Sequence, residues 1–301
     1  MIQITQRDKG FLLKVNETGA CSSKLPLTIY PTRYCRSRLE LMEREKIINR
    51  KYGLIMIGVE GRKYLERIGV TSKLVDNLSI VTQRRLARTS ELKYLMPTME
   101  VVTSAQYKKE NNLNRGMLFV SAATTKERST YLIYDIPKQI SNDSKVQISR
   151  ELKNKRDEIS HAIIFTRNAD FAKVLTTSNV YINELLLLPP NESSFGLLNE
   201  MAKGFFDRRI ICVAFPKLSK EKAFYKKQTQ YIIGNNFYLN LVLNNILSSY
   251  DMLAVQADSS SDSIYYVVCL HEQQAFFQQT MDQLNLKKLD VQLVGIDEDS
   301  F

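Results

Sequence analysis

Apolar residues recur in the first seventy positions at helical and then at strand spacing. Thr5-Gln6-Arg7-Asp8 has the form of a capping box, a hydroxyl followed three residues later by a carboxylate. Phe11, Leu12 and Val15 follow at helical spacing, so a first helix is predicted over 5–17, ending near Gly19. Ser22 or Ser23 caps a short second helix, with Pro26 tolerated only in its first turn. Pro31 suits the start of a third helix, 31–46, in which Cys35, Leu39 and Met42 form an apolar stripe. At 100° per residue, Arg33, Ser37, Glu40 and Arg44 fall on the opposite side, with Arg36 beside them. Two short β-prone runs come next, Ile47 to Lys51 and Leu54 to Ile57, with Tyr52-Gly53 as the turn. A further helix starts near Val59 and carries Arg62, Lys63 and Arg67.

Three helices, a hairpin with basic residues at its tip and a closing helix make the pattern of a winged helix-turn-helix. In that design the third helix enters the major groove of double-stranded DNA. Thr32, Arg33, Arg36, Ser37 and Arg44 are its candidate contacts, Arg50 and Lys51 those of the wing, and Arg62 and Lys63 those of the closing helix. Wing cations grip phosphate and fix the register of the reading helix.

The charge distribution strengthens this reading. Residues 1–120 carry 22 Lys and Arg against 11 Asp and Glu, whereas residues 221–301 carry 5 against 10. A basic front and an acidic back point to an anionic partner for the front, with nucleic acid the commonest and anionic membrane the rival.

The opening Thr5 to Asp8 with Phe11-Leu12-Leu13, then Arg38-Leu39-Glu40-Leu41-Met42, the basic hairpin and Gly61-Arg62-Lys63-Tyr64-Leu65, resembles the replication-relaxation proteins of plasmids and integrative elements. The resemblance covers about residues 1–70 well and 100–215 more loosely. It implies a winged helix followed by an α/β domain similar to restriction endonucleases, and a role in plasmid replication, DNA processing or transfer.

The remainder alternates. Residues 71–97 read mostly helical. β-prone runs lie at 117–122, 130–136, 161–166, 181–188, 209–215, 251–256, 264–270 and 290–296. Helical stretches lie at 144–159, 168–176, 193–204, 236–250 and 271–285. Such alternation predicts an α/β domain with a mixed sheet. The expected organisation is a DNA-binding domain over 1–70, a helical connector over 71–99 and an α/β domain over 100–301, with a subdivision near 220.

Little points to catalysis. Two histidines exclude a histidine-rich metal centre, and the four cysteines have neither zinc nor redox spacing. Phosphate loop, dinucleotide fingerprint and nucleophile elbow are all missing. Asp135, with Glu151 and Lys153 sixteen to eighteen residues later, mimics nuclease spacing, but 151–153 reads as a charged helix rather than a strand. No catalytic residue, metal or cofactor is therefore expected. The expected function is sequence-specific DNA binding in replication, transfer or their control. A metal-dependent nuclease and a ligand-sensing or dimerising transcriptional regulator are the alternatives. A homodimer, or replication and transfer proteins, are further partners to consider. No apolar run approaches the ~18 residues that span a membrane, and no secretory signal is seen, so the cytoplasm is the expected compartment.

Overall fold

The structure is a computed structural model. It describes residues 2–154, 159–168, 171, 182, 184–220, 225–227, 230–233, 235–243, 264–283 and 290–297. Helices and three sheets make the chain mixed α/β. It divides into two compact units, Met1–Asn112 with Val120–Ala122, and Leu113–Phe119 with Ala123–Phe301.

The first unit begins with helix α1, Gln6–Thr18. The capping box forms as its sequence suggests: Asp8 N–H donates to Thr5 Oγ1 at 3.2 Å, and Thr5 N–H donates to the Asp8 carboxylate at 2.7 Å. Gly19, with φ of 92°, ends the helix in the left-handed region that glycine adopts without penalty. The short second helix expected next is a 3-10 helix rather than an α-helix, with Pro26 in its first turn and a strand before it. The chain forms strand β1 (Ala20–Ser22) and then this single 3-10 turn (Leu25–Thr28). Three residues suffice for β1 because Ala20 and Cys21 are drawn into sheet pairing and buried. Helix α2 (Thr32–Arg44), strands β2 (Ile48–Lys51) and β3 (Leu54–Ile57), and helix α3 (Val59–Arg67) then follow.

These strands form an antiparallel sheet in the order β1-β3-β2. Register assigns its faces, because successive side chains point to opposite sides. Cys21, Ile55 and Ile57 with Ile48 pack into the core of α1, α2 and α3, among Phe11, Leu39, Met42 and Leu65. Ala20, Leu54 and Met56 form the other face, against Val75 and Ala87. Ala87 belongs to helix α4 (Ile80–Leu95). So the stretch read as a connector packs over the sheet. Coverage on both faces explains why Leu54 to Ile57 is apolar at every position and buried throughout. Strand β4 (Glu100–Thr103) and helix α5 (Ser104–Glu110), neither read from sequence, complete this stretch.

Strand β5 (Ser121–Thr124) straddles the division, and it is shorter and later than the run expected at 117–122. In the second unit β6 (Thr130–Ile136), β7 (His161–Thr166) and β8 (Glu184–Leu188) run parallel, with helix α6 (Asn142–Asn154) crossing between the first two. Helices α7 (Glu192–Ala202) and α8 (Phe206–Ala214) follow. The run at 209–215, read as a strand, is thus a helix. Phe206, Ile210 and Ile211 are its buried residues, so its apolar run fills one helical face. Strands β9 (Tyr225–Lys227), β10 (Gln230–Ile233) and β11 (Asn236–Asn240) are antiparallel. Strands β12 (Ile264–Leu270) and β13 (Asp290–Ile296) add parallel to β11, with helix α9 (Gln274–Gln283) between them. Within the helix expected at 236–250, residues 236–240 form a strand instead, and 244–250 lie outside the described residues. In that strand Phe237 stacks on Tyr265 at 4.6 Å and Tyr238 on Tyr266 at 5.1 Å, cross-strand pairs that favour the extended chain over the helix. The readings at 251–256 and over most of 168–176 lie outside the described residues. No described helix is long and apolar enough to cross a membrane.

Candidate nucleic-acid interface

Helix α2 buries Cys35, Arg38, Leu39 and Met42. Thr32, Arg33, Arg36, Ser37, Glu40 and Arg44 are exposed. The expected division into an apolar back and a cationic front is present, with one addition: Arg38 lies in the buried stripe.

Arg38 is held there by Asp8, which no solvent reaches. Its guanidinium donates from Nε to Asp8 Oδ1 at 3.1 Å and from Nη2 to Oδ2 at 2.5 Å. Tyr30 Oη donates to the same carboxylate at 2.9 Å and Thr5 Oγ1 at 2.6 Å. Burial works to raise the pKa of Asp8, but hydrogen bonds from Arg38, Thr5 and Tyr30 outweigh it and hold the carboxyl below its ordinary value. Burial, then the bond to Asp8, pushes the Tyr30 phenol well up. The bond to Asp8 raises Arg38 further, against its own burial. One carboxylate thus joins the first turn of α1, the chain entering α2 and the back of α2. It fixes how α2 presents its front.

On that front Arg36 Nε pairs with Glu40 at 3.0 Å, and Ser37 Oγ donates to the Tyr34 carbonyl at 3.0 Å. Arg33 and Arg44 make no ion pair among the described residues. Glu43, one turn beyond Glu40, receives Arg50 from β2 at 2.5 Å. Helix and hairpin are thereby linked through a surface ion pair.

The two candidate residues of the hairpin do not lie together. Arg50 shares its face with Ile48, toward α2. Lys51 shares its face with Asn49, toward α4, and its Nζ lies 5.0 Å from the Tyr52 ring centre. Tyr52 and Gly53 both take positive φ, 55° and 76°, the conformation of a tight two-residue hairpin turn. Tyr52 is 66% exposed. In α3, Arg62 pairs with Asp76 at 2.7 Å and Lys63 with Glu60 at 2.8 Å. Lys63's bond lowers the Glu60 pKa. Asp76 borders the same crease as Lys51 and Arg84, about 620 Å³ in volume. The nine sequence-derived candidates therefore separate. Thr32, Arg33, Arg36, Ser37, Arg44 and Arg50 gather about α2. Lys51, and Arg62 through Asp76, belong to the α4 side. Lys63 is held on its own helix.

Sequence reasoning places Asp8 in a capping box and Tyr52 in a turn but gives neither of them, nor Arg38 or Glu43, a part in this interface. Arg38 was legible, since it lies three residues after Cys35 and four before Met42, inside the buried stripe.

The pairing of Asp135 with Glu151 does not form. Glu151 is buried in α6 and accepts from Leu118 N–H at 3.1 Å, Tyr134 Oη at 3.0 Å and Gln147 Nε2 at 3.1 Å. Tyr134 precedes Asp135 on β6, so the two project from opposite faces of the sheet, and Glu151 lies on the tyrosine's side. Among the described residues no three His, Cys, Asp or Glu side chains are grouped to hold a metal ion. No family model, curated protein or solved structure matches the chain.

Proposed function

We propose that the first unit is a winged helix-turn-helix that binds double-stranded DNA, with α2 in the major groove and Arg50 on the flanking phosphate. The observation that carries this reading is the exposed face of α2, which carries Arg33, Arg36, Ser37 and Arg44 and is linked to Arg50 through Glu43, while Asp8 anchors the helix from behind. Such a face offers bidentate donors to guanine edges and cations to phosphate. The order of α1, β1, α2 and the β2-β3 hairpin, with β3 central in the sheet, supports it further. The resemblance to replication-relaxation proteins adds the setting: plasmid replication, DNA transfer or their control. The second unit then serves as an assembly surface on a nuclease-like or related sheet.

Selection of bound sequences from a random duplex pool by the full-length chain tests this. A recovered motif, with affinity falling steeply as salt rises, is the expected result. Replacing Arg33 and Arg36 by Ala should abolish the motif preference, since a bidentate base contact discriminates by roughly 1–3 kcal/mol. An unchanged motif in that variant overturns the assignment of α2.

A further inference from the structure

We propose that the crease beside the hairpin tip is a second nucleic-acid site, which takes unpaired nucleotides of single-stranded or locally melted DNA. It rests on the DNA-binding reading and extends it from duplex to single strand.

The first observation is Tyr52. A bulky residue at φ of 55° occupies a position that Gly or Asn fills at lower cost. Its ring is 66% exposed, so packing in the core does not account for it. Lys51 Nζ, 5.0 Å from the ring centre, makes the pair a cation beside an aromatic face. Stacking on an aromatic ring with a cation for the backbone is how sequence-tolerant single-strand sites are built.

The crease supplies the rest. It lies between the β2-β3 hairpin and α4, and its 620 Å³ falls in the range of small-ligand pockets. Asp76 is the carboxylate among its lining residues, and Arg62 engages it at 2.7 Å. Lys51 and Arg84 therefore leave the crease cationic. Met56 gives it an apolar floor, and the exposed amide of Asn49 offers both a donor and an acceptor to a base edge. Gln83 closes the wall, its amide donating to the Val75 and Leu78 carbonyls at 3.0 and 3.1 Å.

Register decides between duplex and single strand. A duplex seated on α2 meets Arg50. A strand leaving it round the hairpin tip meets Tyr52 and then Lys51, on the opposite face of β2. An acidic peptide would satisfy the two cations but makes no use of a tyrosine held outward at the turn.

The chain has no tryptophan, so Tyr52→Trp places a single reporter at the site. The full-length variant is titrated with oligothymidylate, with a fully paired duplex carrying the selected motif, with the same duplex containing a mismatched bubble, and with polyglutamate. Oligothymidylate and the bubbled duplex should quench the emission, and the paired duplex should bind without quenching. Tyr52→Asn removes the ring and suits the left-handed turn. It should weaken oligothymidylate binding roughly tenfold or more and leave paired-duplex binding unchanged, while Tyr52→Phe should bind both as the parent does. Equal oligothymidylate affinity in Tyr52→Asn, or quenching by polyglutamate and not by oligothymidylate, overturns the site. Binding of paired duplex without any binding of oligothymidylate removes this site and leaves the proposed function standing. Failure to bind either DNA removes both.

Discussion

Replacing Arg38 by Met tests the buried anchor that sets α2, and it leaves every exposed cation of that helix in place. Methionine keeps much of the stem volume and loses the guanidinium. Asp8 would then lose two charge-assisted bonds, at 3.1 and 2.5 Å, and keep those from Thr5 and Tyr30. At roughly 1.5–3 kcal/mol for each bond to a charged group, the loss is about 3–6 kcal/mol. Removing one partner of a buried ion pair is measured at about 3–5 kcal/mol, so the two routes agree. That is a large share of the roughly 5–15 kcal/mol by which a domain is stable. The assay is urea-dependent hydrogen exchange at amides of α1 and α2, which reports this unit and not the chain as a whole. Arg38→Met should lose about 3–5 kcal/mol of protection, and Asp8→Asn with Arg38→Met together should cost less than the sum of the two. The pH dependence has a fixed sign. Asp8 has a depressed pKa when folded, and an unfolded aspartate titrates near 3.9. The pair's contribution is therefore complete above about pH 4 and is lost as pH falls through the folded value. A cost below ~1 kcal/mol at neutral pH, where a buried pair should cost several, or a cost that stays the same into acid, refutes the reasoning.

Three further outcomes follow from the geometry. Lys51→Ala should flatten the salt dependence of oligothymidylate binding by about 0.7 unit and leave that of the paired duplex unchanged, while Arg50→Ala should flatten the duplex slope by less than the roughly 0.9 unit of a free cation, because Glu43 already neutralises Arg50 in the free protein; the full ~0.9 unit in Arg50→Ala would show that this ion pair opens without cost. Gly61→Ala should destabilise the first unit by about 1–3 kcal/mol in urea unfolding, since a Cβ there would sit 2.1 Å from the Ile47 carbonyl oxygen; the ~1 kcal/mol that Ala gains over Gly in a helix does not offset that, and a stabilised variant would refute the contact. Supercoiled plasmid incubated with the protein and Mg²⁺ should stay closed, because Asp135 projects from the face of β6 opposite the one on which Glu151 of α6 meets Tyr134; nicking that vanishes in Asp135→Ala would establish a nuclease built on other partners.

How much of this was readable follows from the physics of each element. The capping box at Thr5, the α2 stripe and the Tyr52-Gly53 turn are local features, set by residues within a few positions of one another. They were legible for that reason. Elements defined by distant partners were not. Ala20 to Ser22 is a strand only because β3 pairs with it from more than thirty residues away. The run Ile210 to Phe215 satisfies a buried strand as well as a helix, and packing decided the case. Asn236 to Asn240 reads as part of a helix over 236–250 because what holds it extended, the strand that carries Tyr265 and Tyr266, is distant in the sequence.

The candidate interface divides on the same principle. The composition of α2 shows which of its residues are cationic, and its period shows which face they share. In β2, Arg50 and Lys51 are neighbours in sequence and look like one basic tip. Alternation alone sends them to opposite faces, but it says nothing of what each face meets until α4 is known to cover one of them. Once α4 lies on the Lys51 side, the sheet has two buried faces and the hairpin edge has two chemically distinct flanks. One carries Arg50 and is continuous with the α2 front through Glu43. The other carries Lys51 and Arg84, with Asp76 held by Arg62. A helix that seemed only to connect domains thus divides the basic hairpin tip into two separate flanks, and the exposed ring of Tyr52 stands at the turn where they meet.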